Sequence, residues 1–320
     1  MLKISQSAFW RRIPPAVFPP ILGLIGMALA WRRAGEVLGF GVWIGNAILC
    51  VVILIYVVAT LCCLAKCYSR PAATVQDLGG LPGRSGMAAM TLAGMLIAAG
   101  LAPYFPETAR AVLFLGLAGH LILLIIVVVI LFGGPTEQRK ITPAWHLTFV
   151  GFIVVPFTAI PLGMTGLAQV SLIAPMMFAL VLIVVSLDQA RRYSPPPALR
   201  PLIAIHLAPL SLFATVAYQL GHIWFAVTLA VLAIAFGGFL LAKARWLTAG
   251  NFTPLWGAFT FPSAAFAVVL LTLSPLSRVF TVLGVVVLLA ASIIVAVIAF
   301  RIFRMWPGEL LAEKTNAARV

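Results

Sequence analysis

The sequence predicts an all-α integral membrane protein of ten spanning helices, arranged as five helical hairpins around a central pore. Three observations carry that reading: an apolar composition, ten segments long enough to cross a bilayer, and basic residues gathered on one side. Of 320 residues, 63% are hydrophobic and 9% charged; soluble domains are charged at about a quarter of positions. No stretch is long or polar enough for a separate soluble domain, so residues 1–320 read as a single transmembrane domain.

A spanning helix needs about 20 mainly apolar residues. Such segments fall at 14–31, 38–66, 87–103, 110–132, 145–167, 170–190, 201–220, 222–243, 254–273 and 279–303. The first follows Lys3, Arg11 and Arg12 and reaches Ala28–Ala30, which imitates a secretory leader. Pro14, Pro15, Pro19 and Pro20 crowd its front and argue for a first membrane helix instead. The second holds Cys50, Cys62 and Cys63, with Cys67 at its end. These read as small hydrophobes; lipidation of the last three is the alternative. No histidine or acid completes a metal set there, so neither metal nor cofactor is expected.

Prolines then sort the remaining spans. The fifth carries Pro156 and Pro161, the seventh Pro209, and the ninth Pro262 within "LWGAFTFPSAAFAVVLL" (255–271). The third has no interior proline but carries Gly94 and Gly100, and the sixth has Pro175 in its first turns. The second, fourth, eighth and tenth have none. "LILLIIVVVILF" (121–132) and "VVVLLAASIIVAVIAF" (285–300) are apolar all round, as lipid-facing helices are. Irregular backbone at membrane depth survives only inside protein or beside water. The odd spans are therefore expected inside and the even spans outside. A ring of hairpins around a pore satisfies this; a compact bundle with packing kinks is the alternative.

The formal net charge is +14. The basic residues fall between apolar spans rather than on one folded patch, which excludes nucleic acid. Ten spans place 17 of the 21 basic residues on the side of both termini. The positive-inside rule makes that side cytoplasmic. All seven acids fall in links or tails: Asp77, Glu137, Asp188, Glu309 and Glu313 inside, Glu36 and Glu107 outside. Pumps and proton-coupled carriers place carboxylates or histidines within the membrane. Here only His120 and His206 are mid-span, each expected to bond a neighbouring helix. A neutral path results, on which bulk pH should act only modestly. The basic rim would concentrate anions, although basic inner loops are common to membrane proteins.

The spans also resemble a known family, the tellurite-resistance/dicarboxylate transporters, which include the slow-type plant anion channels. The resemblance is carried in order by "PPAVFPPILGLIGMALAW" (14–31), "TPAWHLTFVGFIVVP" (142–156), "RPLIAIHLAPLSLFATVAY" (200–218) and "LWGAFTFPSAA" (255–265). It implies a ten-helix anion channel of the bacterial inner membrane, multi-pass, assembled as a homotrimer with one pore per subunit. It also implies a phenylalanine gate at Phe261, with Phe18 near the same level, and pore kinks at Pro19, Pro156, Pro161, Pro209 and Pro262. Two departures stand out. Pro19 occupies the place of the family's usual glycine, and an asparagine of the fifth span is missing from "FVGFIVVPF". The long termini that regulate the plant channels have no counterpart, so phosphorylation control of that type is not expected.

Three function classes follow. A passive channel for small inorganic or organic anions leads. A carrier of the same fold, moving dicarboxylate, sulfite or tellurite-type oxyanions, possibly with a proton, is second. An enzyme is third and lacks any HExxH, GxSxG or buried acid pair. The topology is open to test: a reporter fused after Val320 should read cytoplasmic, and one near Gly221 external. Both on one side would remove the ten-span reading.

Overall fold

The computed structural model describes residues 13–135, 139–307 and 310–317. Lys3, Arg11, Arg12, Glu137, Glu309 and Arg319, used above for topology, lie outside them. Among the described residues the chain is helix and turn, without strands.

A 3-10 turn, Pro15–Val17, leads into α1 (Phe18–Leu38); α2 (Trp43–Ser69), the short α3 (Pro71–Gly79), α4 (Leu81–Leu101) and α5 (Pro106–Gly133) follow. After a broken run containing α6 (Pro156–Ala159) come α7 (Thr165–Arg192), α8 (Leu207–Gln219) and α9 (Ile223–Ala242). The short α10 (Ala244–Leu247), then α11 (Thr260–Thr272), α12 (Arg278–Met305) and α13 (Leu310–Lys314) complete the chain. Among the described residues, nine segments are long and apolar enough to cross a membrane.

The fifth expected span is different. It is a π-helical turn (His146–Val150), a 3-10 turn (Gly151–Val154) and α6. The run His146–Ala159 is shorter than any of the nine. At about 1.5 Å per residue it falls short of the hydrocarbon thickness. Most of its residues are buried, packed against α4, α7 and α8, which is where irregular backbone survives in a membrane.

Burial divides the spans as the proline pattern expects. The most apolar stretches of the first, third, seventh and ninth of the ten expected spans are 61–83% buried, those of α2, α5, α7, α9 and α12 only 17–33%. Leu54, Ile125 and Ile293 are examples of large apolar side chains left exposed on the outer helices. Contacts follow the same division. α1 packs on α4 and α11, α11 packs on α8, and the broken run joins α4 to α8. Each outer helix lies against the inner element that precedes it: α2 on α1, α5 on α4, α7 on the broken run, α9 on α8 and α12 on α11.

Three boundaries differ from expectation. α1 continues to Leu38, where Gly39 caps it at φ 79. Its last turns therefore include Arg32, which is buried and donates from Nη1 to Gly100 O of α4 at 2.7 Å. α7 starts at Thr165, so Pro175 sits in its interior and not in its first turns. Pro161 lies exposed in the turn after α6 and kinks no helix.

The ends of α2 and α3 are pinned by charge. Lys66 Nζ lies 2.6 Å from Asp77 Oδ2, both nearly fully buried, and donates to Ile13 O at 3.1 Å. The bond ties α2 and α3 to the entry of α1. Removing one member of a buried pair leaves the other without its counter-charge. Lys66→Met should therefore destabilise the protein by about 3–5 kcal/mol. Adding Asp77→Leu should recover most of the loss, as read by thermal unfolding in detergent.

Candidate functional site

The five inner elements line one common cavity. Each contributes to its wall: Pro19 and Leu22 from α1, Pro82, Ser85 and Leu92 from α4, and His146 to Val154 from the broken run. Leu202 to Leu212 come from the α8 segment and Pro254 to Pro262 from the α11 segment. No Asp, Glu, Lys or Arg lines it, and His146 is the one titratable side chain among the described residues of its wall. A second hollow shares Ala16 and Pro82 with it and reaches Asp77 and Lys314.

Sequence explains the wall's irregularity. Pro209 and Pro262 are each the third residue of an α-helix that follows a 3-10 run, Pro197–His206 and Pro254–Phe259. A proline lacks the N–H that an α-helix would send back to residue i−4, so α-geometry begins just before the proline. Hydroxyls gather at the second break. Thr260 Oγ1 donates to Gly257 O at 2.7 Å and stands 3.1 Å from Pro19 O of α1. Ser263 Oγ donates to Phe259 O at 2.8 Å. Thr260 thus ties the start of α11 to α1 while supplying donors where backbone order changes. Pro19 and Pro156 sit in first turns, where proline loses no helical bond.

The expected gate residues separate. Phe261 lines the cavity. A Cβ added at Gly26 of α1 would come within 3.1 Å of the Phe261 ring, so the glycine makes the seat for that ring. A Cβ at Gly23, one turn earlier, would overlap Thr260. Phe259, about 200° around a helix from Phe261, meets Trp256 edge-on at 5.9 Å and packs on the core. Phe18 is fully buried, meets Tyr56 of α2 edge-on at 6.4 Å, and lies outside the cavity wall. Its helical register turns it outward while Pro19 and Leu22 face in. Pro19 lies near Gly257, and Gly26 supplies the small residue beneath the ring. Pro156 and Pro161 are also outside the wall.

His120 is held between helices: its Nδ1 is 2.7 Å from Thr91 Oγ1 and its Nε2 donates to Thr148 O at 3.1 Å. His206 is not alone. Its Nδ1 lies 2.9 Å from His146 Nε2, both rings buried. Sequence reasoning missed His146 because it stands at the start of the broken run, where it counted as an entrance residue. No spacing rule links positions 146 and 206. Among the described residues, no three His, Cys, Asp or Glu gather into a possible metal site.

A family model described as a voltage-dependent anion channel matches residues 12–303. Among curated proteins, none matches the chain.

Proposed function

The chain belongs to the voltage-dependent anion channel family, and on that premise we propose that it is a passive anion channel of the cell inner membrane, gated by the Phe261 ring. One observation carries this reading: a cavity built by all five inner elements has a wall without fixed charge, and Phe261 is set into that wall against Gly26. A phenyl ring in a narrow neutral passage excludes water and makes ion entry costly. The wall supplies no carboxylate to attract cations. Anions are instead concentrated by basic links outside the membrane.

The reading includes ten spans, the broken run being the fifth, paired as five hairpins with both termini cytoplasmic. The division of burial and the order of contacts support the hairpins. The basic asymmetry supports the orientation. The kinks that matter for the path are those at Pro209 and Pro262, which line the cavity; Pro19 contributes to the wall without bending α1. We assign Phe18 a packing role beside the gate. A homotrimer rests on the family resemblance, with the exposed apolar outer helices as the surfaces available to lipid and to further copies.

Two measurements test the reading. In a planar bilayer under ion gradients, the reversal potential of the purified protein should follow the anion gradient. A potential that follows potassium would exclude the reading, and transport without unitary openings would favour a carrier. Phe261→Ala should raise anion conductance strongly with selectivity unchanged, because the ring blocks without choosing. Phe259→Ala should instead mainly cost stability, by less than the roughly 3–5 kcal/mol of a fully packed aromatic, because Phe259 is only partly buried. If Phe259→Ala opens the path and Phe261→Ala does not, the gate lies on the other face of α11.

A further inference from the structure

α12 is the last of the outer helices, and its exposed face is continuous. Val282, Val286, Leu289, Ile293, Val297 and Phe300 are all exposed, and Arg304 follows four residues after Phe300. At 100° per residue these seven positions fall within about 80° of one another, a single stripe along the helix. Arg278–Met305 counts 28 residues, about 42 Å of helix against about 30 Å of hydrocarbon. Its final turns therefore reach the headgroup layer. The two arginines there each rest on a ring: Arg304 lies 5.7 Å from the centroid of Phe300, and Arg301 lies 5.2 Å from that of Phe252. We propose that Arg301 and Arg304 bind the phosphate of an anionic phospholipid in the leaflet on that side of the membrane, with an acyl chain lying along the exposed stripe of α12.

The donors of this pair have no internal use. A ring beneath a guanidinium takes its face and none of its N–H groups. Among the described residues, neither arginine donates a hydrogen bond to the protein or has a carboxylate in ion-pair range. Each keeps its planar fork of N–H groups, which phosphate oxygens accept two at a time. Other cations of the same side are already engaged. Lys66 pairs with Asp77 and Arg192 with Asp188. Arg139 donates to Leu131 O, Phe132 O and Gly134 O, and Arg200 to Pro195 O and Trp246 O. The C-terminal end of α12 carries about half a negative charge; two guanidiniums leave the locality positive.

A lipid fits these groups better than a free anion does. Both arginines are exposed, so a dissolved anion meets them in water, where salt screens the attraction. A phospholipid is held at this depth by its own chains, and its phosphate meets the pair at high effective concentration. Phe300, 62% exposed beneath Arg304, marks the level at which headgroup gives way to acyl chain. The site also touches an inner element. Phe252, beneath Arg301, begins a run of ring contacts through Trp256 to Phe259, and Ile302 lies beside Gly257. A headgroup seated on Arg301 therefore bears on the 3-10 run that leads into α11. The inference concerns binding alone and stands apart from the conduction reading.

The experiment titrates the full chain, purified in neutral detergent, with phosphatidylglycerol and counts bound lipid by native mass spectrometry. Phosphatidylcholine is the neutral comparison. Wild type should hold phosphatidylglycerol at least roughly tenfold more tightly. A basic residue near an anionic headgroup contributes about fivefold, so Arg301→Gln combined with Arg304→Gln should lose roughly thirtyfold. Arg192→Gln, which removes the same charge from the same side, should lose less than about twofold. Should the double variant fail to fold, Arg304→Gln alone decides, with a loss of about fivefold. Wild type without preference for the anionic lipid overturns the site, and so does a folded variant that keeps wild-type affinity. An equal loss in Arg192→Gln means general surface attraction and overturns it as well. Inorganic phosphate at the lipid's concentration should displace no lipid; displacement would mark a site for a free anion and overturn the lipid assignment.

Discussion

In hydrocarbon, every backbone carbonyl and amide must find its partner inside the protein, and that constraint decides where this chain can bend. A buried peptide group left unpaired costs about 1–3 kcal/mol on mutational scales and more against an alkane reference. A helix facing lipid cannot recover that cost, and accordingly α2, α5, α9 and α12 run without interruption. The 3-10, π and α segments alternate only in elements covered by neighbours. Where α11 begins, side-chain hydroxyls supply extra donors: Thr260 to Gly257 O and Ser263 to Phe259 O. The same Thr260 reaches Pro19 O across the seam. Local repair of the backbone and the docking of two inner elements are thus one interaction.

That seam also sets the geometry around Phe261. α1 and α11 approach closely because Gly23 and Gly26 lack side chains where Thr260 and the Phe261 ring pass. The seat beneath Phe261 lies in α1 two turns beyond Pro19, so the loss of the family's glycine at Pro19 does not displace it. Further along the two helices, Met27, Ala30 and Ala34 pack with Ala264, Ala267 and Leu271 in a continuous apolar cluster. Phe261 therefore stands at the boundary between the open cavity and this packed section.

The architecture was legible because it follows from composition and one steric rule. Apolar length marked the spans, and proline marked four of the five inner ones, the third carrying Gly94 and Gly100 instead. The fifth span was readable as apolar but not as broken, since a π-to-3-10 transition has no residue signature in "HLTFVGFIVVP". Pro161 and Pro175 exchanged roles because each lies within a few residues of a helix end, and ends are set by caps and turns, not by hydropathy. Phe261 and Phe259 were distinguishable as opposite faces from spacing, while the choice between them came from the resemblance. Phe18 failed to reach the wall because one residue of register, about 100°, separates it from Pro19. The histidine pair was illegible for a different reason: contact between positions 146 and 206 is a tertiary fact with no local trace.

The distribution of charge follows from what conduction requires. An ion must enter a path readily and leave it readily. A fixed cation at 4 Å attracts a monovalent anion by about 4 kcal/mol at an effective dielectric of about 20, roughly a thousandfold in occupancy. Set into the cavity, such a charge would retain what it attracted. The buried cations are kept away from it. Lys66 is paired with Asp77, and Arg32 is held by Gly100 O with the Tyr104 ring beside it. Neither lines the cavity. The wall instead holds His146, backed by His206, and no fixed cation among its described residues. A neutral wall releases anions but attracts them weakly, and a permanently charged wall does the reverse.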